Sequence, residues 1–258
     1  MTPQFDRFDD ILGHAPSETP FVYREDAALS LHFQIGTVQS RMDPAAPDRL
    51  VLGYTRTMMG FLLFKPQPAR IALIGLGGGS LVKYCHRHLP GAALSVAEIS
   101  PEVIALRRQF HVPDDDARLR VLCVDGADFV RGAAEAFDVL LVDGFDLAGQ
   151  PAQLCSQHFY DDCHAALADD GLLVVNLSTG DARHPAYLAR IRRSFDGAVL
   201  AVAAEDSDNR IVFAGRGRAL ALSARGLGAR LAALAPLHPI GLDRTAAALR
   251  EAREAGEP

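Results

Sequence analysis

IALIGLGGGSLVKY, residues 71–84, is a short apolar run, then four glycines within five positions, then Ser80, where a helical pattern begins. An apolar run of this length closed by glycine reads as a buried strand. Strand, glycine turn and helix in that order place backbone N–H groups and a helix N-terminus at the carboxyl edge of a sheet, where open α/β folds bind ligands. Glycine is needed because side chains would block the close approach of a ligand to the backbone. The dinucleotide fingerprint G-x-G-x-x-G requires glycine or alanine at position 80, and the chain has Ser80. The form that fits is G-x-G-x-G, which is more typical of folds that bind S-adenosylmethionine or a relative than of those that bind NAD. Taken alone, the glycines are also compatible with a purely structural turn.

Outward from this turn, apolar runs alternate with amphipathic segments, the signature of a parallel sheet wrapped by helices. Strands are expected at 71–76, 93–99, 119–124, 137–143, 171–177, 198–204 and 210–215. Helices are expected between them, among them PEVIALRRQF (101–110), with Pro101 suited to the first helical position. The second strand ends in Glu98 and Ile99, Glu98 being 19 residues beyond Gly79, where a carboxylate accepts both ribose hydroxyls of an adenosine. The third ends in Asp125-Gly126, within reach of an adenine amino group, and the fourth in Asp143-Gly144-Phe145-Asp146. Four successive strands ending in glycine or a carboxylate on one edge point to an adenosine-type ligand.

Before Pro66 the period shortens. FVYRED, LSLHFQIG and TVQSRMD suggest a small antiparallel lobe, and YTRTMMGFLLF (54–64) a helix leading into the sheet. The expected division is a small N-terminal β lobe with connecting helix (1–65), a Rossmann-like nucleoside-binding domain (66–218) and a helical extension rich in Ala, Leu and Arg (219–258).

Composition narrows the function. The 258 residues are 49% apolar and 22% charged, the balance of a globular protein, and the net charge is −6. Basic residues are scattered among acids, so no stripe for nucleic acid is expected. No apolar run reaches the roughly 18 residues of a membrane span, and the first residues have no basic-then-apolar order of a secretory signal, so a cytoplasmic location is expected. Cys85, Cys123, Cys155 and Cys163 form no C-x-x-C pair and lie in apolar or helical segments, as core thiols do. His86 and His88 are two apart on a helix and point to different faces, while His158, Asp162 and His164 read as solvated or capping groups; no metal site is expected.

GLGGGSLVKY, VAEISPEVIALRRQF, DDDARLRVLCVDGADFV, FDVLLVDGFD, LCSQHFYDDC and GLLVVNL, in this order, resemble the spermidine synthase (polyamine aminopropyltransferase) family, from about Leu31 to Gly215. The resemblance implies an α/β fold, a Rossmann-like parallel sheet of class I methyltransferase type with an antiparallel last strand, preceded by a small β lobe. It implies decarboxylated S-adenosylmethionine as co-substrate, aminopropyl transfer to a diamine or polyamine, and a homodimer. By the same resemblance Gly75, Gly77, Gly79 and Ser80 cradle the co-substrate, Glu98 with Ile99 holds the ribose, and Asp125 with Gly126 meets the adenine. Asp143 and Asp146 orient and deprotonate the attacking amine, Gln39 contacts the nucleoside, and Tyr54 lines the amine site.

Two positions depart from the family pattern. The family carries an aspartate after the glycines that pairs with the ammonium of the aminopropyl chain, attracting the decarboxylated co-substrate and repelling the carboxylate of the ordinary one; here it is Ser80. The family often has a glutamate two residues after the tyrosine; here it is Arg56, expected to face away or to pair with Asp48 or another acid. Three readings stand: an aminopropyltransferase with altered amine choice, a methyltransferase using S-adenosylmethionine, and a nucleoside-binding protein without catalysis.

Overall fold

A computed structural model describes residues 4–5, 19–25, 27–34, 38–146 and 149–255. Strands β1 (Gln4–Phe5), β2 (Phe21–Glu25), β3 (Ala28–His32) and β4 (Ser40–Met42) form a four-stranded sheet in that order. β2, β3 and β4 are antiparallel as expected, whereas β1 adds to β2 in parallel; its two residues carry no alternation that could announce it. Along β3, Leu29 and Leu31 face the main core, while Ser30 and His32 on the opposite face are buried and bonded to each other at 2.8 Å. Residues 35–36 at the end of the expected LSLHFQIG segment, Thr37 at the start of TVQSRMD and Asp26 at the end of FVYRED lie outside the described residues.

The helix expected at 54–64 is instead α1 (Gly53–Met58) followed by a 3-10 turn (Met59–Leu63). The coil tightens where Gly60 is backed against the protein: a Cβ there would lie 2.6 Å from Thr245 Cγ2. Then follow β5 (Arg70–Ile74), α2 (Ser80–His88), β6 (Ala93–Glu98), α3 (Pro101–Ala105), β7 (Leu119–Cys123), α4 (Gly126–Arg131) and β8 (Phe137–Val142). The chain continues through α5 (Gln157–Ala166), β9 (Leu167–Ser178), α6 (His184–Ser194), β10 (Val199–Ala203), β11 (Asn209–Gly215), α7 (Ala224–Leu234) and α8 (Leu242–Glu254).

The large sheet has the order β10-β11-β9-β8-β5-β6-β7. β7, β6, β5, β8 and β9 are parallel, and β11 runs antiparallel to both β9 and β10, as expected of the last strand. Strand order reverses at β5, and such a reversal opens a crevice outside the strands' carboxyl ends. Both faces are covered, so the central strands are apolar throughout. Ile71, Leu73, Val139 and Leu141 pack on one side with α2, α7 and α8. Ala72, Ile74, Leu140 and Val142 pack on the other with α4, α5 and α6. This two-residue alternation is the strand period itself.

The expected helix at 101–110 stops at Ala105. Its start is as expected, with Ser100 Oγ accepting from Val103 N and Pro101 in the first turn. Beyond Ala105 the chain turns: His111 has φ +54, and Lys83 Nζ donates to Phe110 O at 2.8 Å, satisfying a carbonyl that a longer helix would have used. Cys85, Cys155 and Cys163 are buried as expected, but Cys123, at the end of edge strand β7, is exposed. Among the described residues no helix is long and apolar enough to cross a membrane.

Candidate active site

Each strand end contributes to the site through a local necessity. Gly75 follows β5 with φ +93, and a Cβ there would lie 2.3 Å from the carbonyl oxygen of Asp143. Only glycine lets β5 and β8 stay this close, with Asp143 N bonded to Ile74 O at 2.9 Å. Gly77 has φ +51, and its bare face meets nothing nearer than Ser40 Cβ at 3.8 Å, so it opens into space. That space is a cavity of about 950 Å³.

Glu98 ends β6 nearly buried. Its Oε2 accepts from Leu76 N at 2.8 Å and its Oε1 from Ser100 N at 2.9 Å, which locks the carboxylate against the glycine turn. Each oxygen keeps a lone pair for a donor in the cavity. Asp125 caps α4, with Oδ1 accepting from Ala127 N at 2.7 Å. Its other oxygen takes a long contact from Gln153 Nε2 at 3.4 Å. Gly126 cannot carry a side chain, because a Cβ would meet Ile74 Cγ2 at 2.3 Å.

At the floor, beyond β8, Asp143 Oδ1 accepts from Asn176 Nδ2 at 2.9 Å and Oδ2 from the Tyr54 hydroxyl at 3.1 Å. Burial raises the Asp143 carboxyl above its ordinary 3.8, and the two donors oppose that shift by favouring the charged form. The Tyr54 hydroxyl is pushed well above its ordinary 10 by burial and by the Asp143 charge, so it stays a proton donor. Asp146, three residues on, is exposed at the mouth, where its backbone exchanges two hydrogen bonds with Gly149, N to O at 2.8 and 3.2 Å. Residues 147–148 of this loop lie outside the described residues.

The cavity thus brings together Gly75, Gly77, Ser80, Glu98, Ile99 and Asp125 on one side, and Tyr54, Asp143 and Asp146 on the other, with Gln39 and Gly126 also in its wall. Ile99 is 60% exposed at the rim. Gly79 is the exception among the expected residues: with φ +68 it caps α2, turned so that a Cβ would strike Val112 Cγ2 at 2.3 Å, and it does not line the cavity. Ser80 opens α2 with its hydroxyl 3.5 Å from Ser40 Oγ, joining the glycine turn to the small lobe.

Arg56 faces away from the cavity. Nε bonds Glu205 Oε2 at 2.8 Å and Nη2 bonds Asp206 Oδ2 at 2.9 Å, while Nη1 donates to the carbonyls of Leu50 and Val51. Asp48, the partner named first from the sequence, is taken by His88 at 2.8 Å and Arg87 at 3.3 Å. Sequence reasoning missed Asn176 and Asp206, both in the cavity wall. The signal for Asn176 was available, since it is the one polar residue in the apolar run GLLVVNL and sits at the same sheet edge as Asp143. The described lining holds five carboxylates (Glu98, Asp125, Asp143, Asp146, Asp206) and no lysine, arginine or histidine.

Sheet order, glycine turn and crevice define a Rossmann-like α/β protein of the class I methyltransferase type. The chain belongs to the spermine/spermidine synthase family: the family model described as spermine/spermidine synthase domain matches residues 51–195. A polyamine aminopropyltransferase of Chromobacterium violaceum is 39% identical over 196 residues, covering 76% of this chain and 75% of that protein. One of Neisseria meningitidis is 38% identical over 195 residues, 75% of this chain and 74% of that protein. The fold is shared with a spermidine synthase solved in complex with the transition-state analogue AdoDATO, at 21% identity and TM-score 0.64, covering 80% of this chain and 72% of that one. It is shared also with human methyltransferase-like protein 13 in complex with SAH, at 23% identity and TM-score 0.63, covering 75% of this chain and 92% of that one. The chain is accordingly an enzyme of the aminopropyltransferase family.

Proposed function

We propose that the enzyme moves an aminopropyl group from decarboxylated S-adenosylmethionine to a diamine or polyamine, with Asp143 as the proton acceptor and Asp146 drawing in and orienting the amine. One observation carries this reading: five carboxylates and no cationic side chain in the described lining of a cavity built around a glycine turn. Such a wall attracts a sulfonium, an ammonium and a polyamine, and repels the carboxylate of ordinary S-adenosylmethionine and the phosphates of a dinucleotide. Selection against the carboxylate is therefore spread over the wall, which supports decarboxylated co-substrate despite Ser80.

The nucleoside fits the bare face of Gly77, where a side chain would fill the space. Glu98 would hold the ribose hydroxyls, Asp125 the adenine amino group, and Gln39, Gly75, Ser80, Ile99 and Gly126 the remaining walls. The amine reaches the cavity as a cation and must lose a proton before it attacks. Asp143 accepts that proton; burial has strengthened it as a base, and Tyr54 and Asn176 fix the direction of its oxygens. The freed lone pair forms the C–N bond as the C–S bond breaks, its electrons pass to sulfur, and the positive charge leaves the sulfonium. Positioning nitrogen, carbon and sulfur in line is the larger part of the rate. A homodimer and a cytoplasmic site of action belong to the same proposal.

Methyl transfer from S-adenosylmethionine is supported by Ser80 alone and has no cation in the described lining to hold the amino-acid carboxylate. Mass spectrometry of reactions with each co-substrate and a panel of diamines separates the readings. The expected products are the aminopropylated diamine and the thioether nucleoside; a methylated amine formed only from S-adenosylmethionine would overturn the proposal.

A further inference from the structure

We infer that Asp206, on the turn between β10 and β11, is the specificity residue for the second cation of the acceptor, held in place by Arg56. This rests on the proposed aminopropyl transfer and deepens it. The cavity spans the sheet edge from β7 to β11. Its glycine turn, Glu98 and Asp125 lie over β5, β6 and β7, whereas Asp143 lies at β8 and Asn176 and Ser178 on β9. Beyond them, Asn209 at the start of β11 pairs with Ser178, and Asp206, Ser207 and Asn209 close the far wall. A nucleoside on the β5–β7 side leaves the β9–β11 side to the acceptor. From β8 to β11 is two strand spacings, about 10 Å. A second ammonium several bonds away from the attacking nitrogen would therefore meet this far wall, where Asp206 is the carboxylate.

The turn is built to hold that carboxylate still. Gly53 in α1 is pressed against it so closely that a Cβ would lie 2.0 Å from Glu205 O, and Glu205 N donates to Thr57 Oγ1 at 3.0 Å. Asp206 has φ +59, a conformation that aspartate tolerates better than most residues. Arg56 bonds both acids of the turn, and Glu205 is also paired with Arg244 of α8. The two arginines balance the two acids in charge, but the acids differ in access: the Glu205 side chain is 15% exposed and that of Asp206 70%. An incoming ammonium thus finds Asp206. Arg56, a cation beside the amine site in sequence, acts as the anchor of a carboxylate in the cavity wall.

Asp206→Asn tests this with the full-length enzyme, since asparagine keeps both the left-handed backbone and an acceptor for Arg56. Transfer to butane-1,4-diamine and to butylamine is measured with the same co-substrate. The expected result is a roughly tenfold rise in KM for the diamine and a clearly smaller change for butylamine, so that the diamine-to-monoamine ratio of kcat/KM falls several-fold. Asp206→Glu is expected to restore most of the preference for the diamine. An unchanged diamine-to-monoamine ratio in Asp206→Asn, or an equal loss for both amines, overturns the assignment while aminopropyl transfer stands. A wild-type enzyme that transfers to no diamine or polyamine of a panel of different lengths overturns the proposed function, and the assignment with it.

Discussion

Asp143 is placed where a carboxylate costs stability and gains reactivity. Burial raises its proton affinity above the ordinary 3.8, so the group favours folding below that value and loses that advantage as pH rises through its raised folded value. At neutral pH its charge is therefore a net cost. Asp143→Asn is expected to keep or raise Tm at pH 7–8 while kcat falls by about a hundredfold or more, the usual share of a general base; calorimetry and a transfer assay read the two effects separately. Tyr54→Phe removes a donor that favours the charged form, so the acidic limb of the pH–rate profile is expected to move to higher pH, with kcat down about tenfold. Glu98, Asp125 and Asp143 were legible in sequence because each closes an apolar run at a glycine or turn. Asp206 was not: it lies 63 positions after Asp143 in a turn without periodicity, so Arg56 could be expected to pair with an acid without the sequence saying which one.

At the scale of elements, the strands of the large sheet were legible as apolar runs: nearly continuous in the buried parallel strands β5, β6, β8 and β9, and apolar enough to read in the partly exposed edge strand β7 and the antiparallel β10 and β11. Helix ends were less so. PEVIALRRQF has a helical face throughout, yet a buried lysine caps Phe110 and the chain turns at His111, a tertiary contact that no local pattern encodes. The β5–β8 junction depends on Gly75. Gly75→Ala would force a Cβ against the Asp143 carbonyl at a φ that side chains avoid, so a loss of at least about 2 kcal/mol, or about 4–8 °C in Tm, is expected together with reduced kcat. The loop at 145–153, whose Gly and Pro content suggests a closing lid, carries Asp146 at the mouth. Its amide exchange is expected to slow when co-substrate and amine analogue bind, and unchanged exchange there would argue against closure.

Across the whole molecule, the chain between α7 and α8 is tied to α2 by a group that titrates. The Tyr84 hydroxyl meets His238 Nδ1 at 2.9 Å in a buried contact, and burial lowers the His238 proton affinity below its ordinary 6.5. His164 and His184 are shifted the same way, also chiefly by burial. These histidines fold neutral, so their contribution is complete above 6.5 and is lost as pH falls through their lowered folded values. Tm is expected to begin falling below about pH 6.5, well before the carboxylates of Asp48, Asp161 and Glu205 are protonated. At the same scale, an anionic cavity with no cation in its described lining would select an adenosyl sulfonium lacking a carboxylate. Isothermal titration with the decarboxylated and ordinary forms of S-adenosylmethionine tests it directly. The decarboxylated form is expected to bind at least about tenfold more tightly; equal affinity, or preference for the carboxylated form, would overturn this selection.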